Sequence, residues 1–421
     1  MEANIRRAFV IGYKEPNKYS WVKLVSALET DGLLKSGMFD LIIFRQQLYE
    51  PFEYSSLKKF DVVVFGFSLM TVQLKEFKIF METIYGQIKK QLKKTYVIAG
   101  GPHVSAKPND VLQLGVDFAV VGEGELILPK ILWALASDKD LDDLLSQDPV
   151  IIKNERYGIF SASELANLNQ IPPFSESFRL FGPIEITRGC LYSCKYCQTG
   201  TMYKNLRHAD IDVIVGWLKK LAEIKFDKCW FLSPNALSYG SDRAKPNVEA
   251  LRSLLSKIFQ IRKLKKIYFG TFPSEVRPEY VTRDVLSAIK PYISNNYFVV
   301  GAQAVTNSLL KKIGRTHSIE DIHQCIQIMN EFGMIAEIDL IFGLPGETED
   351  DINATLEFLH DVESKYKNVK VRGHTFMALP GTEFEHEKNG SIDPRILNAM
   401  GRLTKLNKGR GEYFEQARYF E

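Results

Sequence analysis

The chain has 421 residues, 45% hydrophobic and 25% charged, with a net charge of +3. That length holds two or three domains, and so balanced a charge gives no argument for a nucleic-acid partner. No apolar run is long enough to span a bilayer, the residues after Met1 lack a signal-peptide layout, and five cysteines, three of them clustered, make no secreted disulfide framework, so a cytoplasmic location is expected.

Residues 1–136 read as buried strands alternating with helices. Strands are expected at 7–12, 41–44, 61–67, 96–100 and 118–122. Helical spacing over 18–30 sets Trp21, Leu24, Val25 and Leu28 on one face, and a second helix is expected over about 75–94. This alternation implies a doubly wound parallel sheet covered on both faces, with ligands at the carboxyl ends of its strands. Three successive strand ends turn to glycine, hydroxyl and acidic residues: Gly66 to Ser68 and Thr71, Gly100 with Gly101, and Gly122 with Glu123. Glycine lets a backbone approach a ligand closely, and hydroxyls can hydrogen-bond it. Any one of these alone would be an ordinary turn; three in one sheet point to a ligand.

Residues 137–182 read as a linker. They hold a polar, acidic stretch, a candidate hairpin from 150–152 and 159–160, and the stiff run Ile171-Pro172-Pro173-Phe174.

From 183 to about 390 a second strand–helix rhythm completes six repeats. Strands are expected at 184–187, 229–233, 267–272, 297–303, 336–343 and 369–378. Helices are expected at 210–224, 248–262, 282–289, 319–332 and 350–364. Six βα units suggest a partial TIM-like barrel with its site at the carboxyl ends of the strands. Residues 391–421 are expected as a helical tail, in which Arg395, Arg402, Lys405, Lys408 and Arg410 interleave with Leu397, Met400, Leu403 and Leu406. Such a tail could close the barrel or meet an anionic substrate.

The first strand of this second rhythm delivers Cys190, Cys194 and Cys197 in the spacing C-x3-C-x2-C. Soft thiolates this close together suit an iron–sulfur cluster or a zinc ion. Three ligands leave one coordination position open, and an open position usually means chemistry. Cys229 and Cys325 stand alone, read as buried apolar residues, and are too few for a second cluster.

In this setting the cysteine spacing resembles that of the radical-SAM superfamily. The resemblance implies a [4Fe–4S] cluster held by Cys190, Cys194 and Cys197, with S-adenosylmethionine (SAM) on the remaining iron. It implies that Tyr196 covers the cluster near the adenine, Gln303 lies near the ribose, and Arg315 lies near the SAM carboxylate. Backbone around Ile341, in the Asp339–Gly343 motif, would meet the adenine, and Leu379 belongs to the matching sixth-strand motif. The family's Gly-Glu motif after the second strand is replaced by Ser233-Pro234-Asn235, so Ser233 or Asn235 would hold the SAM amino group.

The first domain is similar to the cobalamin-binding domain that precedes many radical-SAM barrels. On that resemblance Ser68, Thr71, Gly100, Gly101, Gly122 and Glu123 belong to the loops around the cobalamin nucleotide tail. The loop after the first strand, Tyr13 to Lys18, lacks the histidine that ligates cobalt in better-known cobalamin domains. His103 could be offered instead, although a helix- or phosphate-facing role suits it better.

The resemblance thus implies a cobalamin-dependent radical-SAM enzyme. It would cleave SAM reductively to a 5′-deoxyadenosyl radical and methylate an unactivated carbon, with electrons from an external donor such as ferredoxin or flavodoxin. The alternatives are ring or carbon–carbon bond formation without methyl transfer, and a non-catalytic cobalamin- or cluster-binding module. A methylthiotransferase is disfavoured, because it would need further N-terminal cysteines and a terminal RNA-binding domain. The substrate, whether small molecule, lipid or RNA, is not legible in the chain.

Overall fold

The computed structural model describes residues 5–137, 151–154, 157–161, 164–242, 245–413 and 416. The chain divides into two compact units, Met1–Gly182 and Pro183–Glu421.

In the first unit β1 (Arg7–Gly12), β2 (Asp40–Phe44), β3 (Val62–Ser68), β4 (Thr95–Gly100) and β5 (Phe118–Val121) lie parallel in the order β2-β1-β3-β4-β5. Every residue of β1 and β3 is buried, as continuous apolar runs require when both faces are covered. One face packs Phe65, Phe77 and Phe80, the other Phe9, Trp21 and Ile131.

The helix expected over 75–94 is broken in the middle. Leu74–Ile79 and Gly86–Gln91 are α-helical, and Phe80–Tyr85 between them is a π turn. Residues five apart on a regular α-helix point about 140° away from each other. The wider turn lets both Phe80 and Tyr85 reach the same core.

Part of the stretch 137–182 joins this first sheet. β6 (Ile151–Asn154) and β7 (Tyr157–Ser161) pair antiparallel, and β7 pairs parallel with β5, giving seven strands among the described residues. Further along, Lys23 Nζ donates to the Ile171 carbonyl at 2.7 Å. β8 (Phe174–Ser175) and β9 (Leu180–Phe181) make a short antiparallel pair. The polar stretch 138–150 lies outside the described residues.

The second unit opens with β10 (Ile184–Glu185). β11 (Thr187–Arg188) and β12 (Arg207–His208) then form a small antiparallel ribbon on either side of the cysteine loop. β13 (Lys228–Leu232) and β14 (Lys266–Tyr268) continue in parallel from β10. β15 (Tyr297–Gln303), β16 (Ile335–Phe342) and β17 (Val369–Thr375) form a second parallel group. The groups meet where Val276 bridges Val300, and Gly301 N donates to the Val276 carbonyl at 2.9 Å. The result is the partial six-repeat barrel.

Capping chemistry sets where the helices of this barrel begin. Ser318 with Asp321, and Thr348 with Asp351, form reciprocal capping boxes at the starts of Ile319–Glu331 and Glu349–Ser364.

The tail is helical only in its first half. Asp393 caps the helix Pro394–Lys405, after which β18 (Gly409–Gly411) lies parallel beside β17. Two glycines permit this approach: a Cβ at Gly411 would stand 2.1 Å from the Gly373 carbonyl oxygen, and one at Gly409 would strike Leu403. The tail arginines are engaged within the chain. Arg395 pairs with Glu349, Arg402 with Glu363 and Arg410 with Glu337. Phe414, Tyr419 and Phe420 lie outside the described residues. No helix among the described residues is long and apolar enough to cross a membrane.

Candidate active site

The cysteine loop leaves β11 through Gly189, whose φ is +91° and whose Cβ would stand 2.1 Å from the Asn205 carbonyl oxygen. No side chain fits there, so glycine is obligatory immediately before Cys190. Backbone bonds then hold the loop from several sides. Cys190 N donates to Tyr203 O, Lys195 N to Ile313 O, and Phe384 N to Lys195 O, each at 3.1 Å. Gln198 Nε2 donates to the Pro380 carbonyl at 2.9 Å. The loop is therefore pinned to the ends of strands distant in sequence.

Cys190, Cys194 and Cys197 are half-buried, whereas Cys229 and Cys325 are buried. Burial pushes the Cys190 thiol up, against the lowering effect of the Tyr192 backbone N–H. The loop thus presents a thiol that keeps its proton until a metal displaces it. Among the described residues, no three His, Cys, Asp or Glu side chains converge as a single-metal site.

Arg277 is a member of this site that the sequence reading missed. It is buried, lies against Tyr192 of the cysteine loop, and donates from Nη2 to Thr316 Oγ1 at 2.9 Å and from Nε to Glu279 at 2.6 Å. Tyr192 in turn donates its hydroxyl to Tyr280 at 3.1 Å. Arg277 was missed because two of these partners, Tyr192 and Thr316, come from distant segments.

Tyr196, Gln303, Ile341 and Leu379 come together in one cavity of about 250 Å³. Gln303 reaches it through a bulge after Gly301 and a left-handed backbone, φ +74°. Burial pushes the Tyr196 phenol up, so it stays protonated. The cavity also takes Glu275, Asp339 and His374, none of which was assigned a cofactor role. One signal for Asp339 was legible: Glu337, Asp339 and Ile341 occur at alternate positions of an apolar strand and so share a face.

The remaining expected SAM residues lie beside the cavity and do not line it. Arg315 donates from Nη2 to the Gly301 carbonyl and from Nη1 to Cys194 Sγ at 3.7 Å, while its buried Nε has no acceptor. Ser233 is buried and bonds within its own turn, donating to Asn235 O at 2.8 Å. Asn235 accepts from Arg277 N through Oδ1, and its Nδ2 has no partner. Gly343, at φ +70°, is crossed by Gly390 and Ser391 within 2.8 Å of where its Cβ would be.

At the strand ends of the first unit, Leu69 N donates to Gly100 O at 2.7 Å, and a Cβ at Gly101 would stand 2.6 Å from Leu69 N. Ser68 is buried, and its carbonyl accepts from Asn17 Nδ2. Gly122, φ +77°, has open space at its Cβ position and donates to Ser105 Oγ at 2.9 Å. Glu123 is buried and accepts from Ala166 N at 2.9 Å. His103 Nδ1 meets Thr71 Oγ1, and Nε2 meets Asp110, both at 3.2 Å. With both ring nitrogens engaged, His103 has no lone pair free for cobalt in this arrangement.

The sheet domain, the partial barrel and the three-thiol loop together define a two-domain α/β protein with an open three-thiol site. Residues 184–359 match the radical SAM superfamily model, and residues 50–132 match the B12 binding domain model. The chain thus carries a radical SAM domain and, before it in sequence, a B12 binding domain. It is 30% identical over 196 residues to the ribosomal protein uS12 methylthiotransferase RimO of Clostridium novyi, covering 45% of this chain and 41% of that one. Its fold is similar to the radical SAM methyltransferase TsrM of Kitasatospora setae, with a TM-score of 0.68 and 15% identity over 90% of this chain and 75% of that one. It is also similar to the cobalamin-dependent SAM radical enzyme OxsB, with a TM-score of 0.64 and 15% identity over 84% of this chain and 52% of that one. The chain thus spans about half or less of OxsB and of RimO.

The cofactors of these domains are a [4Fe–4S] cluster with SAM and cobalamin. The residues present fit them. Three half-buried thiols suit three irons of a cluster and leave the fourth for SAM. The unpartnered Arg315 Nε suits an anionic group beside it. In the first unit the open Gly122 and the unpartnered Asn17 Oδ1 suit a polar ligand at the strand ends.

Proposed function

We propose that this enzyme methylates an unactivated carbon of its substrate. When bound, the cluster would supply the electron that splits SAM into methionine and a 5′-deoxyadenosyl radical able to take a hydrogen atom from the substrate carbon, and methylcobalamin would supply the methyl group that replaces it. The chain's part is to hold and orient. Cys190, Cys194 and Cys197 hold the cluster, Arg315 neutralises the SAM carboxylate, Gln303 and the backbone at Ile341 seat the nucleoside, and Tyr196 shields it from water. Ser68, Thr71, Gly100, Gly101, Gly122 and Glu123 shape the cobalamin edge. An external reductant, of the ferredoxin or flavodoxin kind, completes the system.

The observation that carries this reading is the pairing of one three-thiol loop with one B12 binding domain. A methylthio transfer is the second reading, favoured by the identity to RimO. It would need thiols for further sulfur chemistry, and the two remaining cysteines are buried on separate elements, Cys229 in β13 and Cys325 in the helix Ile319–Glu331.

The test is anaerobic incubation of the reconstituted protein with SAM, methylcobalamin, a reductant and metabolite extract from a deletion strain. Methyl transfer predicts 5′-deoxyadenosine and S-adenosylhomocysteine together, and a product heavier by one methyl group. Deoxyadenosine without S-adenosylhomocysteine would instead indicate ring or carbon–carbon bond formation.

A further inference from the structure

We propose that the polar end of the cavity in the second unit, built from Glu275, Asp339 and His374, docks a basic nitrogen of the substrate: a protonated amine or a guanidinium. The proposal deepens the functional reading above and rests on that cavity being where SAM and substrate meet.

The argument is one of charge. Three carboxylates, Glu275, Glu337 and Asp339, face two guanidinium groups, Arg372 and Arg410. Arg410 is committed to Glu337 through both Nε and Nη2. Arg372 is divided: its Nη1 stands 3.6 Å from Glu275 and 3.5 Å from Asp339, and makes a hydrogen bond to neither. Its guanidinium also lies over Phe272, 4.9 Å from the ring centroid. His374 adds no positive charge, because burial and Arg372 push its pKa down. With all three carboxylates ionised, one negative charge would be uncompensated.

That charge falls where it is costly. Asp339 is 2% exposed, and its Oδ1 has no donor. Arg372 Nη1 at 3.5 Å and His374 Nε2 at 3.6 Å both face Oδ2, so Oδ1 stays unsatisfied, and a buried carboxylate so placed favours a proton or a further cation. Burial, and after it the neighbouring Asp339, push Glu275 up to about 8, so Glu275 keeps its proton near neutral pH in the free enzyme. A substrate N–H⁺ group would displace that proton and satisfy Oδ1 directly.

A metal ion fits less well, since Arg372 already places positive charge against both carboxylates and hard cations require six or more oxygens. An anionic group is disfavoured by the same excess charge. The cavity's other wall, Tyr196, Gln303 and Ile341, is the one assigned to the nucleoside. The acidic end is thus free to read the second molecule.

The test uses the full-length reconstituted protein and two isosteric probes, butylguanidinium and neutral butylurea, titrated calorimetrically in phosphate and in Tris. Butylguanidinium should bind at least about tenfold tighter, some 1.4 kcal/mol, and release protons, which makes its apparent heat differ between the buffers. Asp339→Asn should reduce the preference to about twofold. Glu275→Gln should abolish proton release and provides the check if Asp339→Asn lowers the melting temperature. Equal binding of the two probes, or a preference that survives both substitutions, overturns the proposal. SAM binding is followed separately through the cluster's absorption. A normal SAM response with no guanidinium preference sinks this proposal alone, whereas loss of the SAM response sinks the reading beneath it.

Discussion

The guanidinium of Arg277 lies over the ring of Tyr192, its central carbon 3.5 Å from the ring centroid. Tyr192 stands between the first two cluster cysteines, and Arg277 follows the segment that bridges the two strand groups. The contact therefore ties the cluster loop to the seam of the barrel. A desolvated cation–π pair is worth about 2 kcal/mol, and a charged hydrogen bond about 1.5–3 kcal/mol.

Arg277→Ala should therefore lower stability by about 2–4 kcal/mol and reduce the iron retained after reconstitution. Arg277→Lys keeps the charge but loses the flat stacking and the fork, and should fall between the two. Thermal unfolding and iron content per chain check both, and a fully loaded Arg277→Ala protein would show that the loop does not depend on the contact.

Replacing Cys190, Cys194 and Cys197 together by Ala should abolish the cluster, whose iron and sulfide should be about four each per chain in the wild type. Cys325→Ala should leave iron and sulfide unchanged and cost about 1 kcal/mol, because a buried thiol is small packing volume. Elemental analysis separates these outcomes directly.

Glu347 offers a pH test. It accepts from Gly343 N at 3.2 Å, and burial pushes its carboxyl from 4.5 up to about 7. Between those values the folded chain binds a proton that the unfolded chain has released. Stability therefore falls as pH rises through this window. Glu347→Gln keeps the acceptor and removes the titration. Its melting temperature should drop less than the wild type's between about pH 4.5 and 7. Parallel profiles would show that Glu347 contributes nothing to the slope.

His103→Ala should destabilise the first unit by about 2–4 kcal/mol, since it empties a buried site and strips partners from Thr71 and Asp110. The visible spectrum of the bound corrinoid should not change. A spectral change on substitution would mean that His103 reaches cobalt after all.

Much of the fold was legible because both units repeat one simple unit. Runs such as Phe9-Val10-Ile11 and Val62–Phe65 are buried on both faces, and helices such as Ile319–Glu331 carry their own caps. The π turn at Phe80–Tyr85 and the strand Gly409–Gly411 were not legible. In each, a tertiary contact overrides the local pattern: a shared core in the first, a close backbone approach to Gly373 in the second.

The same division holds at the site. The sequence alone determined the three thiols, their spacing and their place after the first barrel strand, because a cysteine motif is local and a loop of eight residues must deliver it. That the residue before Cys190 must be glycine was decided by the fold, which sets the Asn205 carbonyl against Gly189. Only the tertiary structure decided that Tyr196, Gln303, Ile341 and Leu379 share a cavity, that Arg277 braces Tyr192, and that Glu275 meets Asp339. Those residues come from separate strand ends, and a barrel brings strand ends together at distances no local pattern records.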